Sequence, residues 1–280
     1  MNTEMSLLLK MLRPGNMLIA IITLAAGFFI SGVSLGQPLF LLEALALAAA
    51  VGFANVHNDI LDVPADKINR PGRALASGNV SVRAATVLAG ILFILPVLLG
   101  IFISFTHTVF FILLLGALYL YNARLKHIPL IKNISVALLC ISPLALAYLA
   151  GKKLNVLIPL AFFAFLLTLA REILKDLEDI EGDRIAEITT LPLVIGIKPT
   201  QKIVQALLIL SALMLPLPVF VKIYPLSFLI LGLLSVVPFL VLGFRRNAQN
   251  KFRAAQVQIK IAMFCGIFTL ILSFGIRRFF

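Results

Sequence analysis

The chain has 280 residues, of which 61% are hydrophobic and only 13% charged, and its mean hydropathy is +1.08. A soluble domain carries about a quarter of its residues charged to cover its surface, so lipid must solvate most of this one. The formal net charge of +12 comes from basic residues in short stretches between apolar segments, where anionic headgroups account for them, and this distribution argues against a nucleic-acid partner.

Taken in chain order, Glu4, Lys10, Arg13 and Pro14 lead straight into an apolar segment with no small-residue cleavage site, so no cleaved signal peptide is expected. A bilayer core needs about 20 apolar residues per helix, and the first such stretch covers roughly 16–35, opening with Asn16. Gly36-Gln37-Pro38 connects it to a second at roughly 38–56. Glu43 stands alone in that span near its outer end, where snorkelling to the interface is the expected role. A long charged loop follows at about 57–81 and contains His57 beside an acidic motif. The third and fourth stretches, roughly 82–104 and 106–121, are joined by the minimal Phe105-Thr106 junction, and His107 sits there as an ordinary interfacial histidine. After a basic loop at about 122–131, which includes His127, come stretches at roughly 132–151 and 154–173. A second acidic loop spans about 174–199, before stretches at roughly 200–221, 225–244 and 256–275. Cys140 and Cys265 lie inside apolar runs and are expected to pack rather than form a disulfide. The expectation is an all-α, polytopic membrane helix bundle of nine transmembrane helices, forming one integral membrane domain over residues 1–280.

Nine spans put the N-terminus and all four long loops, at about 57–81, 122–131, 174–199 and 245–255, on one face. That face holds all but five of the 24 Lys and Arg residues, the exceptions being Lys152, Lys153, Lys222, Arg277 and Arg278. The asymmetry assigns the loop-rich face to the cytoplasm. The chain also repeats itself: Asp59, Asp62 and Asp66 recur as Asp176, Asp179 and Asp183, each displaced by 117 residues, as do Asn16 as Asn133 and Lys67 as Arg184. Two pseudo-repeated halves of four spans, each with an acidic loop after its second helix, then frame a site between them, and a ninth helix follows.

The motifs read Asn58-Asp59-Ile60-Leu61-Asp62-Val63-Pro64-Ala65-Asp66, followed by Lys67, Arg70 and Arg73, and Lys175-Asp176-Leu177-Glu178-Asp179-Ile180-Glu181-Gly182-Asp183-Arg184. All six aspartates of the protein fall in these two motifs. Spacing of i, i+3, i+7 gathers three carboxylates on one helical face, although Pro64 and Gly182 shift the third to a kink or loop past the helix end. Carboxylates packed this closely repel one another. Mg²⁺ relieves that repulsion and prefers a few carboxylates plus substrate phosphate oxygens, while adjacent Arg and Lys neutralise the remaining phosphate charge. The expected ligands are Asn58, Asp59, Asp62, Asp66, Asp176, Asp179 and Asp183, with two ions, one per motif.

An NDxxDxxxD motif followed by a second DxxDxxxD resembles the UbiA-type superfamily of intramembrane prenyltransferases. The likeness extends over most of the chain: Asn16 in the first span, Arg70-Pro71 and Arg73 after motif one, and Thr190-Leu191-Pro192 after motif two. Relatives that prenylate aromatic rings often carry Tyr-x-x-x-Lys after the fourth helix, whereas this chain reads Tyr121-Asn122-Ala123-Arg124-Leu125-Lys126, one residue longer. Arg171-Glu172-Ile173-Leu174-Lys175-Asp176 leading into motif two is similar to the archaeal lipid branch, the digeranylgeranylglyceryl phosphate synthases. The resemblance implies transfer of a geranylgeranyl group to the free hydroxyl of geranylgeranylglyceryl phosphate, making the second ether bond of archaeal membrane lipid. In that reading the motif aspartates are catalytic, and Asn16, Lys67, Arg70, Arg73, Tyr121, Arg124, Lys126, Arg171 and Lys175 contact substrates. The partners are a prenyl diphosphate, a lipid-like phosphorylated acceptor and membrane lipid. Two alternatives stay open: a relative acting on 4-hydroxybenzoate or a quinone precursor, and a divalent-cation or metabolite transporter. Transport is disfavoured because the carboxylates cluster at one face while the span middles are nearly uncharged.

Overall fold

The computed structural model describes residues 3–185 and 188–279, apart from the side chains of residues 3, 69 and 277–279. Its described residues contain no strand. They form nine helical spans: Pro14–Ser31, Pro38–Leu61, Val82–Ile103, Phe105–His127, Ile131–Gly151, Leu154–Glu178, Ile197–Phe220, Leu226–Ala248 and Phe252–Ile276. Each is long and apolar enough to cross a membrane. Their outward faces are apolar, with Phe102, Phe105 and Phe220 among the most exposed side chains, as a lipid-facing surface requires.

The internal repeat is visible in the architecture. Pro38–Leu61 and Leu154–Glu178 are the second helices of the two halves, and each is followed by a short helix, Val63–Asn69 or Ile180–Ile185. Within the first half the second span packs on the first, third and fourth. Within the second half the sixth packs on the fifth and seventh, while the ninth touches the eighth, the sixth and the first and so closes the ring. Prolines mark breaks within spans. The fifth divides at Ile141, just before Pro143, and the eighth at Val236, just before Pro238, because a proline removes a helical donor and crowds the preceding turn.

The halves meet closely where the first and fifth spans cross. A Cβ on Gly27 would lie 2.6 Å from the Cβ of Ala147, and one on Gly151 would lie 2.6 Å from the Cβ of Ser31. Van der Waals packing takes the place of a hydrophobic driving force between helices in lipid, so small residues set the approach. Gly27→Leu is expected to separate these helices and destabilise the protein by about 1–3 kcal/mol, read as a lower Tm in detergent. An unchanged Tm would mean that the contact is dispensable.

Two polar residues depart from the sequence expectation. Glu43 does not snorkel: it is 0% exposed, and its Oε1 lies 2.9 Å from His107 Nε2. His107 Nδ1 is 2.7 Å from Ser104 Oγ, the cap of the fourth span. Burial between the second and fourth spans supplies a partner, which is what makes an acid tolerable there.

Candidate active site

At their loop-rich ends the two second helices run about one turn further than hydropathy alone suggests, carrying the motifs with them. Asp62 closes the second span and Asp179 the sixth, after which the chain turns into the short helices that hold Asp66 and Asp183. Helical hydrogen bonding continues through both turns, from Asp66 N to Asp62 O and from Asp183 N to Asp179 O. The third carboxylate of each motif therefore stays beside the first two despite Pro64 and Gly182.

Each carboxylate of motif one is held by a cation. Asp59 Oδ1 accepts from Arg13 at 2.7 Å and lies 3.7 Å from Arg73, whose guanidinium also donates to Asp66 at 2.7 Å. Asp62 accepts from Lys126 Nζ at 2.6 Å and from Asn58 Nδ2 at 2.8 Å. In motif two, buried Asp176 accepts from Lys132 at 2.8 Å and from Asn133 at 3.0 Å. Asp179 is exposed and Asp183 half-buried. Burial pushes the Asp183 carboxyl above the usual carboxylate range; Lys132 opposes that shift, whereas Asp176 and Asp179 add to it. Metal and proton compete for this carboxylate, so its affinity for a metal rises with pH until the carboxyl is ionised. Asn58 in motif one and Lys175 at the head of motif two line one cavity together with Tyr121, so the two motifs adjoin a common space.

Beside the motifs opens a cavity of about 1040 Å³. Every span except the third contributes to its wall. Polar groups gather at its loop-rich end, where Arg13, Asn16, Asn55, Asn58, Tyr121 and Asn122 line it with Arg171, Glu172, Lys175 and Lys260. Its far end is mainly apolar, with Phe163, Leu217 and Phe228 beside Asn155 among the lining residues.

The structure thus gathers Asn58, Asp59, Asp62, Asp66, Arg73 and Lys126, and it lines the cavity with Asn16, Tyr121, Arg171 and Lys175. Lys67, Arg70 and Arg124 are exposed and pair with no carboxylate among the described residues. His57 stacks between Phe53 and Tyr119 and is bonded by Asn122, an arrangement that packs it rather than freeing it as a base. Sequence reasoning assigned no site role to Arg13, Asn55, Lys132 or Lys260. Asn55 was within reach, since the same displacement of 117 pairs it with Glu172, and both line the cavity. Arg13 holds a left-handed backbone conformation, φ 53°, while its guanidinium bonds both Asn55 and Asp59. Such strain persists where surroundings over-determine it.

No three His, Cys, Asp or Glu side chains among the described residues form a ready metal cluster. The donor set nevertheless fits a hard divalent cation: both motifs offer oxygen ligands alone, and their carboxylates are paired with cations that also suit phosphate.

The UbiA prenyltransferase family model matches residues 19–271. This chain belongs to the UbiA prenyltransferase family. It is accordingly an intramembrane prenyltransferase. It is 32% identical to the digeranylgeranylglyceryl phosphate synthase of Methanosphaera stadtmanae over 95% of this chain and 97% of that protein. A solved structure described as giving insights into digeranylgeranylglyceryl phosphate synthase in membranes superposes with a TM-score of 0.81, at 27% identity, over 98% of this chain and 99% of the other. The fold is shared by a UbiA homologue from Archaeoglobus fulgidus bound to GPP and Mg²⁺, with a TM-score of 0.70 at 18% identity over 93% of this chain and 99% of that one.

Proposed function

We propose that this enzyme transfers a geranylgeranyl group from its diphosphate to the free hydroxyl of geranylgeranylglyceryl phosphate, forming the second ether bond of archaeal membrane lipid. The observation that carries the reading is two aspartate motifs beside an apolar-floored cavity, which their neighbours Asn58 and Lys175 line, in a chain related over nearly its whole length to synthases of that name. The motifs would hold Mg²⁺, one ion per motif by their symmetry, through Asn58, Asp59, Asp62, Asp66, Asp176, Asp179 and Asp183. When bound, Mg²⁺ supplies Lewis-acid stabilisation of the diphosphate leaving group.

The remaining chemistry belongs to the chain. Arg73, Lys126 and Lys132, which now neutralise the motif carboxylates, meet the charge that grows on the departing pyrophosphate. The bond from C1 of the prenyl chain to diphosphate oxygen breaks, with its electron pair leaving on pyrophosphate. The acceptor hydroxyl then forms the new C–O bond and gives its proton to pyrophosphate or to an aspartate. The apolar cavity excludes water from the allylic cation until that attack and houses the prenyl tails. The excess of Lys and Arg on the motif-bearing side supports a cytoplasmic mouth and N-terminus.

The test is transfer from radiolabelled geranylgeranyl diphosphate by detergent-purified protein, with geranylgeranylglyceryl phosphate or 4-hydroxybenzoate as acceptor. Product with the glycerol phosphate ether alone is expected. Product only with the aromatic acid would keep the family chemistry and overturn the acceptor. Chelation of divalent cations with EDTA is expected to abolish transfer, and restored Mg²⁺ to recover it. The same addition should raise the Tm of the diphosphate-bound protein by mass action; transfer that persists in EDTA would overturn the metal assignment.

A further inference from the structure

The basic residues around the cavity fall into two groups. Arg13, Arg73, Lys126 and Lys132 bond motif aspartates. Arg171, Lys175 and Lys260 bond none of them. Arg171 and Lys175 share a single acceptor, Glu172 Oε1, at 2.8 and 2.6 Å, and Arg171 Nε is buried without a hydrogen-bond partner. Lys260 forms no ion pair among the described residues.

Helix register brings these three to one level. The sixth and ninth spans pack against each other and run in opposite directions. Gln256 donates to Glu178 at 2.6 Å, and Gly266 approaches Phe163 further along. One turn on from Gln256, Lys260 therefore stands opposite the stretch from Arg171 to Lys175. All three line the cavity, with one carboxylate among them, and so leave it locally cationic. On the ninth span Lys260 heads a stripe of cavity-lining residues, Met263, Phe264, Ile267 and Leu270, at helical spacing. On the sixth, Arg171 and Lys175 continue the line of Ala164 and Thr168. Lys260 is exposed and its side chain lies on the cavity wall, a place that simple snorkelling toward bulk water does not require.

We propose that Lys260, with Arg171 and Lys175, forms a second anion site that receives the phosphomonoester of the acceptor lipid. The inference rests on the proposed function above and assigns the acceptor head to the wall between the sixth and ninth spans, apart from the diphosphate at the aspartates. The acceptor's hydrocarbon chain then follows the Met263–Leu270 stripe into the apolar end. A guanidinium and two ammonium groups suit a dianionic phosphate, which forms charge-assisted hydrogen bonds and needs no metal there. Lys260 is a binding and positioning residue in this scheme, for it holds the acceptor while the aspartates face the donor.

The experiment compares wild type, Lys260→Met and Lys260→Arg in steady-state transfer. Geranylgeranyl diphosphate and geranylgeranylglyceryl phosphate are varied separately. Lys260→Met is expected to raise the KM for the phosphorylated acceptor about tenfold, the equivalent of one charge-assisted hydrogen bond, with the KM for the diphosphate within twofold of wild type. Lys260→Arg should restore most of the acceptor affinity, which a merely structural lysine would not predict. The unchanged donor KM reports that the methionine variant is folded. An acceptor KM that does not move, or a donor KM that rises equally, would overturn the inference while leaving the proposed function intact. Wild-type protein that uses only the aromatic acceptor would overturn both.

Discussion

Asp62→Asn is expected to lower transfer by about 10²–10³-fold, as severely as Asp62→Ala. Asp62 is hydrogen-bonded to Lys126 and Asn58, so two explanations for its importance compete. If it only anchors Lys126, an asparagine keeps an oxygen for the ammonium and most activity survives. If its charge holds a divalent cation against the diphosphate, asparagine fails almost as badly as alanine, because a neutral amide is a much poorer ligand for a hard cation. Asp179→Asn should match it from the other half. The double variant should lose little more than either single one, since groups acting on one leaving group are strongly non-additive. Initial rates of transfer and of pyrophosphate release, with Tm as the check on folding, read the outcome. An Asp62→Asn enzyme with a tenth or more of wild-type activity would remove Asp62 from the metal set.

The number of spans was legible because membrane helices announce themselves by length and apolarity, and the structure has nine candidate spans among its described residues. The helix ends carrying chemistry were harder to read. Hydropathy ends the second span near 56 and the sixth near 173, yet the helices continue to Leu61 and Glu178. Asn58 and Lys175 look like loop residues by composition, but they lie on the wall of the cavity. A window average cannot see which face a side chain occupies. The aspartate motifs were conspicuous because they exhaust the protein's supply of that residue and recur at one displacement. Their cations were only partly legible: Arg73 and Lys126 neighbour the motifs or their resemblance, whereas Arg13 and Lys132 reach Asp59 and Asp176 from helices distant in sequence. The ninth span has no counterpart in the repeat, so nothing in the duplicated pattern pointed to Lys260.

Glu43 and His107 show the same limit from the other side, and they give the largest expected effect on stability. The pair lies 64 residues apart in sequence, and no local pattern joins a lone acid to a histidine at a helix junction. Glu43→Ala is expected to destabilise the protein by about 3 kcal/mol, lowering Tm on the order of 10 °C. A polar contact between membrane helices contributes only about 0.6 kcal/mol on average, because the unfolded helices find other partners in the membrane. The larger figure follows from geometry. The Glu43 side chain is 0% exposed and that of His107 8%, so alanine leaves an imidazole without its acceptor and a void where the acid stood. Glu43→Gln keeps the shape and an oxygen that can accept from the imidazole, and should cost much less than alanine. Activity of the glutamine variant should stay near wild type, since Glu43 is absent from the cavity wall. A Tm for Glu43→Ala within about 2 °C of wild type, corresponding to roughly the average membrane contact, would show that the pair is a tolerated polar contact rather than a clamp between the second and fourth spans.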